Sequence, residues 1–332
     1  MDRRWSALCA AALAVRMFFV LIWAELAPGI LLDGGGLFSP SRAGEPGPRE
    51  IPAAADKPAE EPGTSPSPAP LPEAVAEPSA APSPEAPFPP EEELLLNRTG
   101  FAPDLEALSA EPLSQRLPGE GTGILILHTH ASEAYTPVPG EEYVPSDPYR
   151  TTDPTRSVIR VGDVLQQTLE AQGLRVVHDR TLYDYPDYTG AYDRSAAAAC
   201  RALEEYPDIG IIIDLHRDAL GGEEPAYKTV AHTEGGAAKV MLVVGTGENG
   251  LAHPRWRENL KLALALQLAM RESCPGLARP IQLARERYNQ QLSSGALLLE
   301  VGTNGNTLSE AERAAEAFGR AAGPVFLSLR EG

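Results

Sequence analysis

Two histidines and a glutamate stand together in His128-Thr-His130-Ala-Ser-Glu133, directly after the apolar run Ile124 to Leu127. Imidazole and carboxylate are both zinc donors, and a catalytic zinc site keeps three protein ligands and one open position. A histidine and a glutamate three residues apart face one point when the chain turns helically after the strand. A second apolar run, Ile209 to Leu215, carries Asp214 and ends in His216-Arg217-Asp218; a third, Ala296-Leu-Leu-Leu, ends in Glu300-Val301-Gly302. His130, Glu133 and His216 therefore make a candidate metal site of the two-histidine, one-glutamate type. A carboxylate that follows four aliphatic residues needs a reason to be buried. Glu300 is read as the group that takes a proton from the attacking water and passes it to a leaving nitrogen. The chemistry is zinc-assisted hydrolysis of an amide.

Each residue also has a blander reading. A strand-end histidine is often a hydrogen-bonded core residue, Glu300 could pair with Arg285 or Arg287, and Asp214, Arg217 and Asp218 could form a local ion pair. Three strand ends delivering such residues to one sheet edge, where ligands of open α/β sheets bind, favours the metal. His128 and His130 compete for the ligand position. The spacing to Glu133 favours His130 and leaves His128 to touch substrate or support the ligands, although the sequence alone does not settle the choice. Asp214 would orient the His216 imidazole through its free N–H, and Arg217 would hold a carboxylate or polarise a carbonyl. Arg287-Tyr288-Asn289-Gln290 lines a groove or caps a turn. His178-Asp179 has no strong claim, and His232 and His253 look peripheral.

The elements that must position these groups alternate. Helical periodicity runs over Ser157 to Gln172, Ala191 to Tyr206, Trp256 to Glu272 and Leu308 to Ala322. Short apolar strands fall at Leu174 to His178, Lys239 to Gly245 and Pro280 to Ala284, besides the three already named. That order predicts an α/β domain with a largely parallel or mixed sheet. It begins near residue 96 and runs to 332. Ahead of it, residues 36–95 are dominated by Pro, Ala, Glu and Ser and read as a disordered, semi-extended tether. Residues 1–35 hold Arg3, Arg4 and a long apolar stretch interrupted by Arg16. They read as a membrane anchor that leaves the catalytic domain outside the cytoplasm, with a cleaved signal as the alternative.

The 332 residues carry 28 Lys and Arg against 46 Asp and Glu, a net charge of −18. Nucleic acid and anionic lipid surfaces need basic patches, so neither is expected as the main partner. Of three cysteines, Cys9 lies in the apolar leader, and no Cys-x-x-Cys spacing exists. Whether Cys200 and Cys274 are linked is left open.

Over residues 120–325 the chain resembles the stage II sporulation protein P family of peptidoglycan hydrolases. The resemblance rests on His128-Thr-His130-Ala-Ser-Glu133-Ala-Tyr135, Val161-Gly162-Asp163, His178-Asp179-Arg-Thr181, Tyr185-Pro186-x-Tyr188, Asp214-Leu-His216-Arg-Asp218, His253-Pro-x-Trp256, Pro275-Gly-Leu-x-Arg-Pro280, Arg287-Tyr288-Asn289-Gln290 and Leu299-Glu300-Val-Gly302. It implies an αβα sandwich like that of zinc N-acetylmuramoyl-L-alanine amidases, with Zn2+ as cofactor. It also implies cleavage of the lactyl amide and of peptide cross-links, and septal wall thinning and engulfment during endospore formation. Peptidoglycan and the stage II sporulation proteins D and M would be the partners. A carboxypeptidase-like or poly-γ-glutamate hydrolase would share the metal set, and a wall-binding scaffold with a dead site is the rival outside enzymes.

Overall fold

The computed structural model describes residues 88–219 and 236–330. The expected anchor, nearly all of the tether, Cys9 and His232 lie outside the described residues. In chain order the elements are α1 (Glu91–Leu94), β1 (Leu95–Asn97), α2 (Leu105–Ala110), β2 (Ile124–Leu127), α3 (Val158–Ala171), β3 (Val176–His178), α4 (Ala191–Glu205), β4 (Ile211–Asp218), β5 (Val240–Gly245), α5 (Trp256–Ser273), β6 (Ile281–Ala284), β7 (Gly295–Thr303) and α6 (Leu308–Ser328). A short 3-10 turn, Gln290–Leu292, precedes β7. The domain includes residues ahead of the expected boundary at 96: Leu95 to Asn97 pair with Ile281 to Leu283 at the sheet edge.

The seven strands line up as β1-β6-β5-β7-β4-β2-β3. Every neighbouring pair is parallel except β5 with β7. This is the mixed, largely parallel sheet that the alternation of elements predicts. β2, β4 and β7 therefore run side by side in one direction, and their carboxyl ends share one edge.

Strand parity decides which face each residue meets. Ile124, Ile126, Ile211, Ile213, Leu215, Leu297, Leu299 and Val301 join the main core, which is closed by α3, α5 and α6. Helix α3 begins where the Ser157 side chain accepts the Ile159 N–H, and it buries Val158, Val161, Leu165 and Leu169. Helix α6 opens on a capping box between Thr307 and Glu310. The opposite face is covered more thinly by α4, where Ala199 meets Leu125, Leu127, Ile212 and Ala296. Asp214, His216 and Glu300 have the parity of this second face. Burying a leucine or isoleucine stabilises by about 1.5–3 kcal/mol, so the apolar first face holds in place the strands that carry polar groups on the second.

Three boundaries differ from the sequence pattern. β4 extends to Asp218 and β7 to Thr303, so His216 and Glu300 sit within strands rather than just past their ends. Helix α6 runs through Pro324 to Ser328; buried Phe326 anchors its last turn. Among the described residues no helix is long and apolar enough to cross a membrane.

Candidate functional site

In the parallel pairing of β4 and β7, His216 is the registered neighbour of Glu300. Beyond β2 the chain makes a tight turn in which Glu133 N donates to His130 O at 3.1 Å. The turn carries the Glu133 carboxylate over β4, where Oε2 lies 3.5 Å from His216 Nδ1. The His130 ring stands nearly perpendicular to that of His216, at 83° with centroids 5.4 Å apart. The structure thus gathers His130, Glu133, His216 and Glu300 at one place on the second face, and all except the partly exposed Glu300 are buried.

Two of the three candidate ligands, His216 and Glu133, touch a supporting group, and the third, His130, has a carboxylate nearby. His216 Nε2 lies 2.9 Å from Asp214 Oδ1, and Asp214 is itself fixed by the Thr129 N–H at 2.7 Å and the Thr129 hydroxyl at 2.6 Å. The Arg217 backbone N–H donates to Glu133 Oε2 at 3.2 Å. His130 Nδ1 faces Asp184 Oδ2 at 3.8 Å. Asp184 accepts from the Ser132 backbone and hydroxyl and, at 2.7 Å, from Arg150 Nη1.

Charge follows from these contacts. Burial opposes ionising Glu133, yet Arg217 and His216 outweigh it and hold the carboxyl well below its usual range. Burial likewise opposes a charged His216, but Asp214 and then Glu133 hold this ring well above the ordinary histidine value. Burial lowers His130. Burial also pushes Glu300 up to about 8, and its sealed Oε2 has no hydrogen-bond partner among the described residues. Neither arginine considered as its mate is there: Arg285 pairs with Glu248 at 3.1 Å, and Arg287 Nη1 reaches Ala252 O at 3.4 Å.

The other positions named from sequence fall differently. His128 has the opposite parity and is fully buried. Its Nδ1–H donates to Leu215 O at 2.8 Å, so its Nε2 accepts from His178 Nε2–H at 2.8 Å. It cannot touch substrate; with both nitrogens engaged it braces the backbone next to His216. Burial lowers His128 to about 4 and His178 to about 2. Arg217 is also not on the open side. Its Nε donates to Ala134 O at 3.0 Å and Nη2 to Tyr149 O at 3.1 Å, so it ties the 130–135 turn to the sheet. Arg287 follows β6, and its Nη1 donates to Ala252 O at 3.4 Å, while the next two residues, Tyr288 and Asn289, meet Tyr192. Asp214 is where its predicted orienting role requires.

Sequence reasoning passed over Asp184 and Arg150, gave His178 no strong claim, and assigned no role to Tyr188. The Tyr185-Pro186-x-Tyr188 run was the available signal for the last of these. Tyr188 stacks on His130 with ring centroids 4.5 Å apart, and its hydroxyl lies 3.1 Å from His130 Nε2. A cleft of about 340 Å3 opens alongside, between Val144, Thr152, Asp153 and Tyr185.

A tetrahedral zinc with bonds of about 2.0–2.2 Å holds neighbouring donors about 3.4 Å apart. The 3.5 Å between Glu133 Oε2 and His216 Nδ1 is such an edge, and the Nδ1 of buried His130 has no hydrogen-bond partner among the described residues. As the side chains stand, no group of three His, Cys, Asp or Glu among the described residues closes on one point. The donor set fits a divalent cation in kind, with two donors in place and the third ring turned toward Tyr188.

The family profile described as Stage II sporulation protein P matches residues 77–322. A curated relative, Stage II sporulation protein P of Bacillus subtilis (strain 168), is 32% identical over 211 residues, which cover 60% of this chain and 50% of the relative. The chain thus spans about half the length of the curated relative it matches. Among solved structures, the N-acetylmuramoyl-L-alanine amidase AmiC2 of Nostoc punctiforme aligns at 12% identity and a TM-score of 0.37, over 63% of this chain and 99% of that one. The CwlD amidase from Clostridioides difficile, in complex with the GerS lipoprotein, aligns at 12% identity and a TM-score of 0.38, over 62% and 99%.

Proposed function

The chain belongs to the stage II sporulation protein P family, and from that premise we propose that it is a zinc-dependent peptidoglycan hydrolase. It cuts the amide between the lactyl group of muramic acid and the stem peptide, with peptide cross-links as a second target. It acts at the sporulation septum, tethered by its amino-terminal segment with the catalytic domain outside the cytoplasm. There it works alongside stage II sporulation proteins D and M in wall thinning and engulfment.

The observation that supports the chemistry best is the set of paired donors: His216 backed by Asp214, Glu133 backed by the Arg217 N–H, His130 beside Asp184. Supporting groups that fix a ligand's orientation are what a metal site requires besides its ligands. Zinc bound there would polarise the amide carbonyl and lower the pKa of a water to about 7. His130, Glu133 and His216 would hold it. Glu300, lifted to about 8 by burial, would be drawn back toward the carboxylate by a cation bound beside it. That form accepts the proton of the attacking water and then delivers it to the amide nitrogen. A polyanionic substrate such as poly-γ-glutamate is disfavoured by the charge of −18.

The test is digestion of purified peptidoglycan by the full chain with zinc and with a chelator, followed by identification of the amino group released. Release of the stem peptide's first amine, lost with chelator and restored by zinc, supports the reading. Intact wall under both conditions leaves a binding scaffold instead.

A further inference from the structure

We propose that Tyr188 is a catalytic residue whose hydroxyl donates a hydrogen bond to the oxygen of the scissile carbonyl as it becomes an oxyanion. The proposal rests on the hydrolase reading above and assigns one role within it. Amide hydrolysis puts a negative charge on that oxygen, and a preorganised donor at that point is among the larger contributions a site can make. Arg217 cannot serve, because its buried guanidinium donates from Nε to Ala134 O and from Nη2 to Tyr149 O, and its Nη1 faces Glu133 Oε1 at 3.8 Å behind the site. Tyr192, which meets His130 edge-on, is largely covered. Tyr188 is 55% exposed, yet its hydroxyl reaches inward to His130 Nε2 at 3.1 Å.

Its position is held from several sides. The ring is stacked on His130 at an interplanar angle of 6°, and the Arg150 guanidinium lies 4.9 Å above the ring centroid. Arg194 staples the loop by donating to Tyr183 O, Asp187 O and Thr189 O. Asp184, on the same loop, is bound to Ser132 and Arg150, so the loop and the His130–Glu133 turn move together. A rigid loop that presents an exposed phenol over a candidate ligand is more than a surface requires. The Asp184 carboxylate, 3.8 Å from His130 Nδ1, favours the proton on that nitrogen, and Nε2 then accepts from the Tyr188 hydroxyl. When that nitrogen is taken by a metal, the hydroxyl loses its partner and is available to substrate. The phenol keeps its proton throughout: a C–O bond forms from water, the C–N bond breaks, and the proton reaches nitrogen through Glu300.

The test compares wild type, Tyr188→Phe and Tyr188→Ala in the full chain, by steady-state kinetics on wall fragments and by zinc affinity from chelator competition. Phenylalanine preserves the stacking and removes only the hydroxyl. Tyr188→Phe is expected to lower kcat by about 100-fold, with KM and zinc affinity within about threefold of wild type. A phosphinate analogue of the amide, which carries the oxyanion-like oxygen, should bind Tyr188→Phe less tightly by a similar factor. Tyr188→Ala should also weaken zinc, since His130 loses its stacked neighbour. A kcat within threefold of wild type, a loss confined to KM, or a loss of zinc in Tyr188→Phe overturns the assignment while leaving the hydrolase reading intact. Absence of turnover in wild type with zinc overturns both.

Discussion

Replacing Glu300 with glutamine keeps the shape of the side chain and removes its titration. In the metal-free chain burial holds this carboxyl at about 8 against an ordinary 4.5. The unfolded chain releases the proton near 4.5, whereas the folded chain keeps it until about pH 8. Folding stability is therefore unaffected by Glu300 below 4.5, falls as pH rises from 4.5 to 8, and is level above 8. The fall amounts to about 3 kcal/mol at pH 7 and about 5 kcal/mol at pH 8.5, at 1.36 kcal/mol for each tenfold change in proton affinity. Glu300→Gln does not experience this loss. Buried amide and buried acid differ by an offset that does not change with pH. Denaturant unfolding of both proteins in chelator at pH 5, 7 and 8.5 measures the difference. The variant should gain several kcal/mol on wild type between pH 5 and pH 8.5, and other ionisations cancel in the comparison. Zinc should narrow the gap, because a cation beside the carboxyl stabilises its charged form. A stability difference that is flat across this range would refute the burial of the Glu300 carboxyl.

Other consequences are accessible to standard measurements. His130→Ala and Glu133→Ala should each lower zinc affinity by at least about 100-fold with the fold retained, whereas Glu300→Gln should keep zinc and lose turnover; zinc content and circular dichroism check both. Because His216 is held well above the usual histidine value, zinc must displace its proton near neutrality, so loading should release about one proton and affinity should fall as pH falls. Calorimetry in two buffers of different ionisation enthalpy reads that proton directly. Gly162→Ala would ordinarily stabilise a helix by about 1 kcal/mol, but a Cβ there would lie 2.7 Å from His178 Nε2 and 2.8 Å from His128 Cε1. It should instead destabilise by about 1–3 kcal/mol, and denaturant unfolding shows the sign.

Much of the architecture was readable from hydrophobic period. The buried runs of β2, β4 and β7 and the stripe of α3 required their elements, since only those placements remove the side chains from water. The convergence of His130, Glu133, His216 and Glu300 followed from three strand ends sharing one edge. Parity was the step that local reading could not take for His128. Its place two residues before His130 says nothing of the turn that carries His130 across to the β4 side while His128 stays with Ile124 and Ile126. Arg217 was half legible: it does hold a carboxylate, with Nη1 3.8 Å from Glu133 Oε1, but consecutive strand residues face opposite sides, which keeps it from polarising a carbonyl beside His216. Arg287 misled because the loop after β6 turns Tyr288 and Asn289 toward Tyr192 while the Arg287 guanidinium donates to Ala252 O. Asp184 and Tyr188 were hidden by chain separation, since nothing local links a loop at 183–189 to a turn at 130–133. Helix α6 passed its expected stop because the buried Phe326 beyond Pro324 outweighs a local breaker.

The account stands or falls on where a cation binds. Diffraction at the zinc absorption edge, from crystals of the full chain grown with zinc, locates it without reference to activity. The account predicts one strong anomalous peak bonded to His216 Nδ1, Glu133 and a His130 ring rotated to meet it, with Glu300 facing the remaining side. A site left without a peak in zinc-saturated crystals, or a peak at His178 and Asp163 in its place, would contradict it.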